Sequence, residues 1–351
     1  MSRCLIIGVL LLIHGHAFYA QDSTNTRRIG VLPVPSFGYS PETTTYVGAV
    51  ALFTIKPKEA GATRTSNVKL KFTYTWRKQI IAESNWNYFF NHERWFTKGQ
   101  LVYSKYPDLY YGIGPQTPDS NELSFNSNRV VLEGHLYRKI RNKLFVGGWI
   151  QHIQYDNVNY NETEKYFPEL SSKKISGGGL ALLKENRNSL LSASEGHYAL
   201  LSLGYNLSKN NYMESLVDLR AYKTWRKRFT MAGRFVNYVS PGSLPFFAYP
   251  FLGGDRFVRG YYYGRYRNNG LSTIQGEFRF PIVWRIGLAC FGGWSVNYSG
   301  ANQFIASNFK YNVGGGLRIL MDKSERTNLR LDYAVGQNGN KGFYVAFGES
   351  F

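Results

Sequence analysis

Cysteine is nearly missing from this chain, with only Cys4 and Cys290 among 351 residues. Cys4 falls in an amino-terminal stretch expected to be removed, and the one remaining thiol excludes an intramolecular disulfide. Cys290 then reads as a small apolar residue packed on a strand. Long hydrophobic runs are missing too. Beyond the first twenty residues nothing approaches the ~18 apolar residues of a membrane helix, and mean hydropathy is −0.32, so helical membrane proteins are excluded. Chemistry for catalysis is thin. His14 and His16 leave with the leader, His92, His135, His152 and His197 show no metal-ligand spacing, and there is no Gly-x-Ser-x-Gly elbow. No catalytic residue, metal or cofactor is expected, and the chain is expected not to be an enzyme.

Acids are also scarce, 23 Asp and Glu against 42 Lys and Arg, giving a formal net charge of +19. A basic chain of this size can bind nucleic acid. However, Arg3, the apolar run Cys4 to Ile13 and the small-residue exit between Ala17 and Ala20 form a secretory signal peptide, too short to span a membrane. Residues 1–20 are assigned to it, with cleavage after Ala17 or Ala20. An exported chain rarely meets nucleic acid, no stacking motif accompanies the charge, and no nucleic-acid partner is expected. Solvated turns touching lipid phosphates account for the basicity. An acidic partner on a basic rim and anion preference in a conducting lumen are the other readings.

What the sequence has in quantity is aromatic residues and glycine: 27 Tyr, 24 Phe and 36 Gly. They are arranged with period two. Val68, Leu70, Phe72, Tyr74 and Trp76 share one face, and Lys69, Lys71, Thr73, Thr75 and Arg77 the other, as a strand requires. Leu329, Leu331, Tyr333 and Val335 repeat this against Arg330 and Asp332, and Val217, Leu219 and Ala221 against Asp218 and Arg220. A soluble sandwich would show more continuous apolar strands, whereas one greasy and one polar face on nearly every strand fits a barrel with lipid outside and water inside. Strands are expected at 28–40, 44–55, 67–76, 79–89, 94–105, 125–138, 143–157, 175–185, 196–206, 213–225, 229–239, 271–280, 286–297, 309–320, 328–336 and 342–351. The even count suits an all-β, 16-stranded antiparallel transmembrane β-barrel of the bacterial outer membrane, covering residues 21–351.

Ten of the twelve prolines fall in the expected turns. Pro33 and Pro35 are the exceptions, two residues apart and so deleting donors from the same edge of the first strand. If that edge faces the last strand, the seam between strands one and sixteen is poorly hydrogen-bonded; alternatively, 28–36 is an irregular lead-in. With the amino terminus in the periplasm, the long connections 106–124, 158–174, 240–270 and 298–308 face outward. Basic turns then gather in the periplasm, at Arg138, Lys139, Arg141 and Lys143 and at Arg226, Lys227 and Arg228.

The connection between strands eleven and twelve has about thirty residues, long enough to imply a purpose, and is rich in Tyr, Phe and Gly. Glu277 lies in phase with Thr273, Gln275 and Arg279, so its carboxylate is expected to face the lumen, where it could hold the forked guanidinium of Arg259. Within the loop, Leu252-Gly253-Gly254-Asp255-Arg256-Phe257 runs into Val258-Arg259-Gly260-Tyr261. This segment resembles the loop-six signature of the BamA/TamA family, the bacterial surface antigen family of outer-membrane barrels. The resemblance implies a loop folded back into the lumen, with Arg259 docked on Glu277. The family often adds an aspartate in strand thirteen, but Phe291-Gly292-Gly293-Trp294 offers no acid, so Arg259 is expected to depend mainly on Glu277. Phe351, preceded at even spacing by Phe347, Val345 and Phe343, resembles the family's terminal sorting signal, interrupted by Glu349. Phe347 and Phe351 are thereby assigned to the seam with Pro33 and Pro35. Family members usually carry POTRA domains before the barrel, and none is expected to fit between leader and first strand. By resemblance the chain is expected to assist outer-membrane protein or lipid biogenesis with partner proteins, in contact with outer-membrane lipid. A passive pore or small-solute and anion transporter, or a structural subunit, are the alternatives.

Overall fold

The computed structural model describes residues 29–40, 44–56, 64–161, 165–226, 228–322 and 327–351. The expected signal peptide and Lys227 lie outside them. Sixteen long strands follow one another: β1 (Ile29–Ser40), β2 (Thr44–Ile55), β3 (Ser66–Thr75), β4 (Ile80–Phe90), β5 (Trp95–Tyr110), β6 (Leu123–Arg141), β7 (Leu144–Tyr160), β8 (Lys173–Glu185), β9 (Gly196–Leu207), β10 (Tyr212–Trp225), β11 (Phe229–Val239), β12 (Gly270–Val283), β13 (Ile286–Tyr298), β14 (Phe309–Asp322), β15 (Thr327–Gly336) and β16 (Lys341–Phe347). Each pairs antiparallel with the next in chain order. β1 and β16 end up side by side, so the sheet curls into a nearly closed up-and-down barrel.

The side chains are distributed inside out relative to a water-soluble protein. On β3, Leu70, Phe72 and Tyr74 are exposed while Thr73 and Thr75 are buried. On β12, Ile274, Phe278 and Phe280 face outward while Thr273, Gln275, Glu277 and Arg279 are buried. Alternation with the apolar face outermost needs a lipid solvent, because in water that face would be the one to bury.

Three departures from the sequence reading have local causes. β5, β6 and β7 run several residues further outward than expected, because Tyr110, Leu123, Phe125 and Tyr155 pack with Phe246 and Phe247 in one apolar cluster under the long connections. This extension takes Pro107 into β5. Pairing with β4 stops at Lys105, so Pro107 occupies an edge position where its missing N–H is tolerated. Pro281 likewise lies within β12, at a register shift against β13 that already interrupts the ladder.

The third departure is at the carboxyl terminus. β16 stops at Phe347 rather than 351, because Gly348 takes φ +81°, a conformation that favours glycine, and its N–H donates to the Asn328 carbonyl at 2.9 Å. The last residues leave the barrel wall. Nor is the interior uniformly wet: Phe89, Phe96, Tyr137, Phe145, Trp149 and Leu183 form a buried cluster, with Phe89 and Phe96 stacked at 4.4 Å between centroids.

The inverted alternation makes a direct prediction. Ile274→Arg puts a charge on the lipid face of β12 and should cost about 2–4 kcal/mol near the bilayer midplane, read as a lower urea midpoint in liposomes. An unchanged midpoint would contradict the outward assignment of this face.

Candidate functional site

The segment 240–269 between β11 and β12 folds as a hairpin. Phe251–Leu252 pairs with Tyr266–Arg267, and the Gly254 N–H donates to the Tyr261 carbonyl at 2.9 Å. Glycine is required at the neck: Gly253 has φ +119°, and a Cβ there would meet the Tyr262 carbonyl oxygen at 1.8 Å. Val258, Arg259, Gly260 and Tyr261 form the tip, all buried. Gly260, at φ +100°, lies against the backbone of Val335 and Gly336 on β15, and its N–H donates to the Tyr344 hydroxyl at 2.9 Å. Tyr261 donates to the Tyr311 carbonyl at 2.6 Å and accepts from the Gln337 N–H at 2.8 Å. From the same hairpin, Tyr262 donates to Asp108 on β5 at 2.5 Å, and Tyr263 stacks under Arg129 of β6 at 5.8 Å. The segment therefore has partners on β5 and β6 and on β12 to β16.

Arg259 is 2% exposed. Its Nη2 donates to Glu277 Oε2 at 2.6 Å, its Nη1 donates to Asp332 Oδ2, and its guanidinium lies 3.4 Å from the centre of the Phe291 ring. The expectation that Arg259 depends mainly on Glu277 is corrected on this point. β15 supplies Asp332 as a second carboxylate, and Phe291, where the sequence offers no acid, supplies an aromatic face that attracts the cation.

The pair belongs to a larger network. Arg279 donates to Glu277 at 2.7 Å. Arg318 donates to Asp332 at 2.5 Å, to Glu277 at 3.3 Å and to Glu349 at 2.8 Å. Arg330 donates to Asp332 at 2.7 Å and to Asp255 at 2.5 Å. Four arginines (259, 279, 318, 330) thus meet four side-chain carboxylates (255, 277, 332, 349). Burial disfavours ionised Asp255, but the Arg330 guanidinium outweighs it and holds the carboxyl below its usual range.

The carboxyl-terminal tail is part of the same assembly. Glu349 also accepts from Asn328 at 2.8 Å, and Ser350 donates to the Asp255 carbonyl at 3.0 Å. The Phe351 carbonyl accepts from Arg279 at 3.1 Å, and its ring packs with Ala193, Tyr222 and Ala232. Phe351 is therefore across the barrel mouth against β10 and β11, not at the seam with Phe347. Glu349 does not interrupt a lipid-facing series, because the strand has already ended. The turn 186–195 closes on this tail, with the Leu191 carbonyl accepting from the Glu349 N–H at 2.8 Å and the Ala193 carbonyl from Arg279 at 2.7 Å.

Pro33 and Pro35 lie on β1 opposite Ala51 and Ala49 of β2. Among the described residues no backbone ladder joins β1 to β16. A cavity of about 720 Å³ opens at this junction, with Val34, Phe37, Phe347, Lys71, Glu83 and Tyr344 in its lining. Tyr46 of β2 reaches past β1 to donate to the Val345 carbonyl at 3.4 Å.

Sequence reasoning did not join Asp255, Arg279, Arg318, Arg330 and Glu349 to the Arg259 site. The signal available was phase. Arg318 pairs opposite Arg330, and Gly316 opposite Asp332, where a Cβ on Gly316 would come within 1.9 Å of the Asp332 carboxylate. Small Gly316 beside lumen-phase Arg318 marks room for a carboxylate from the neighbouring strand.

Compared with known proteins, residues 54–351 match the Omp85 superfamily domain. Among solved structures, the chain is similar to BamA from Haemophilus ducreyi lacking POTRA domains 1–3, with a TM-score of 0.55 and 13% identity over 91% of this chain and 69% of that one. It is also similar to CdiB from Acinetobacter baumannii, with a TM-score of 0.57 and 12% identity over 91% of this chain and 60% of that one. At such identities the likeness is one of fold. No curated protein sequence matches significantly.

Removing the guanidinium leaves two buried carboxylates each short of a partner. Arg259→Ala should therefore cost the 240–269 segment about 3–5 kcal/mol of local order, read as protease cleavage within it in membrane-embedded protein. Asp332→Asn should loosen the same segment to a lesser degree. Equal resistance of Arg259→Ala and parent would rule the anchor out.

Proposed function

Because the chain belongs to the Omp85 superfamily, we propose that it is a bacterial outer-membrane barrel that assists the insertion or assembly of other outer-membrane proteins or lipids, together with protein partners. The observation that carries this reading is the junction of β1 and β16, side by side with no backbone ladder among the described residues. Facing strand edges with unpaired N–H and C=O groups are a template for an added strand. Pro33 and Pro35 fit the same reading. With their edge turned to β16, two donors of a closing ladder would be missing.

The hairpin also favours assembly over a wide passive pore. The 240–269 segment makes contacts from β5 and β6 to β12 and beyond, which would narrow a path for solutes. For partners, the basic turns are the candidate dock. Arg138, Arg141, Lys143, Arg226 and Arg228 are exposed at the end of the barrel where β1 begins, suited to an acidic protein surface or to lipid phosphates.

Depletion followed by outer-membrane proteomics tests the reading. Broad loss of other barrels is expected, and intact barrels with altered solute uptake would overturn it. Cysteines introduced on β1 and β16 in a Cys290→Ser background test the junction itself. The oxidised lock should abolish complementation and reductant should restore it, whereas unimpaired growth of the locked form would exclude an opening seam.

A further inference from the structure

At the end of the barrel that carries the long connections, a polar cavity of about 620 Å³ lies between the 111–122 connection, the 240–269 hairpin and the starts of β14 and the β15–β16 turn. Its size is that of a small-molecule site. Gln116, Ser307, Gln337 and Asn338 stand in its lining.

Two cations line it, in different circumstances. Arg265 is paired with an acid. It donates to the Thr117 hydroxyl at 2.9 Å, the Thr117 carbonyl at 2.8 Å and Asp119 at 2.5 Å, and it is sandwiched between the Tyr111 and Tyr266 rings at 4.3 and 4.4 Å. Lys310 is only 5% exposed and has no hydrogen-bond or ion-pair partner among the described residues. Its ammonium lies over the Tyr266 ring, 5.0 Å from the ring centre. The nearby carboxylate, Asp119, is already committed to Arg265.

An ammonium on a cavity wall with no acid to neutralise it is a ready partner for an anion. A cavity that holds one beside amide and hydroxyl groups is matched to an anion carrying hydroxyls. We propose that this cavity binds a small hydroxylated monocarboxylate of the sugar-acid class, with Lys310 as the carboxylate partner and Gln116, Ser307, Gln337 and Asn338 hydrogen-bonding the hydroxyls. The charge balance sets the class: with Asp119 and Arg265 cancelling, one positive charge is left, which a monoanion neutralises. The site is separate from the Arg259 network and from the β1–β16 junction, and it does not depend on the assembly role.

Galacturonate and galactose serve as probes, measured by calorimetry on the full chain in lipid nanodiscs. Galacturonate should bind at least about tenfold more tightly than galactose. Lys310→Met should lose at least about tenfold of the galacturonate affinity, as expected for a desolvated charge pair, while Lys310→Arg should retain most of it. Lys209→Met, on an exposed turn, should behave as the parent. Retention of heat-modifiable mobility in each variant separates lost binding from lost fold. Equal binding of galactose and galacturonate, no galacturonate binding by the parent, or unchanged affinity in Lys310→Met would each overturn the assignment.

Discussion

The structure turns on one guanidinium. Arg259, at the tip of a hairpin whose neck needs Gly253, is held by Glu277 from one wall strand and Asp332 from another and lies over the Phe291 ring from a third. A single charge of this kind would be expensive to bury. Here it is one of four arginines facing four side-chain carboxylates, and nearly every charged atom has a hydrogen-bonded partner. Buried ion pairs add little net stability compared with apolar packing, but removing one member exposes the cost of the rest. The network therefore acts as a latch more than as a source of stability, specifying where the hairpin tip must be.

That latch reaches beyond the hairpin. Arg330 binds Asp255 near the hairpin neck, and Arg318 and Arg279 bind the tail through Glu349 and the Phe351 carbonyl. Hairpin, tail and the 186–195 turn are thus tied to β12, β14 and β15 through the same few side chains. A barrel whose first and last strands lack a closing ladder gives up some of the cooperativity of a sealed cylinder. Interior ties join the β12 to β16 side of the wall, while β1 meets β16 at a cavity where the Tyr46 hydroxyl reaches the Val345 carbonyl.

Much of the fold was legible because its signal is local. Period-two alternation is written in each strand, and the reversal of apolar and polar faces relative to water is visible wherever Leu70, Phe72 and Tyr74 alternate with Lys71 and Thr73. Glu277 was nameable for a related reason, since phase along one strand fixes which way it points, whereas Arg259 was named through the resemblance of Val258-Arg259-Gly260-Tyr261 to a known loop signature. The rest depended on information no single strand carries. Asp332 becomes a partner only through the register of β14 on β15 and the path of the hairpin. The inward turn at Gly348 depends on a backbone angle, so even spacing from Phe343 to Phe351 read as one continuous strand. Phe89 and Phe96 alternate as a lipid-facing residue would, and only the closed wall decides that they face inward.

Amide hydrogen exchange in a lipid bilayer tests the central claim most directly. With Arg259 latched, the Gly254, Gly260 and Asn268 amides, which donate to the Tyr261 carbonyl, the Tyr344 hydroxyl and the Pro250 carbonyl, should exchange as slowly as amides in the middle of β12. Exchange of these three at the rate of an unstructured chain, with β12 itself protected, would contradict a hairpin fixed inside the barrel.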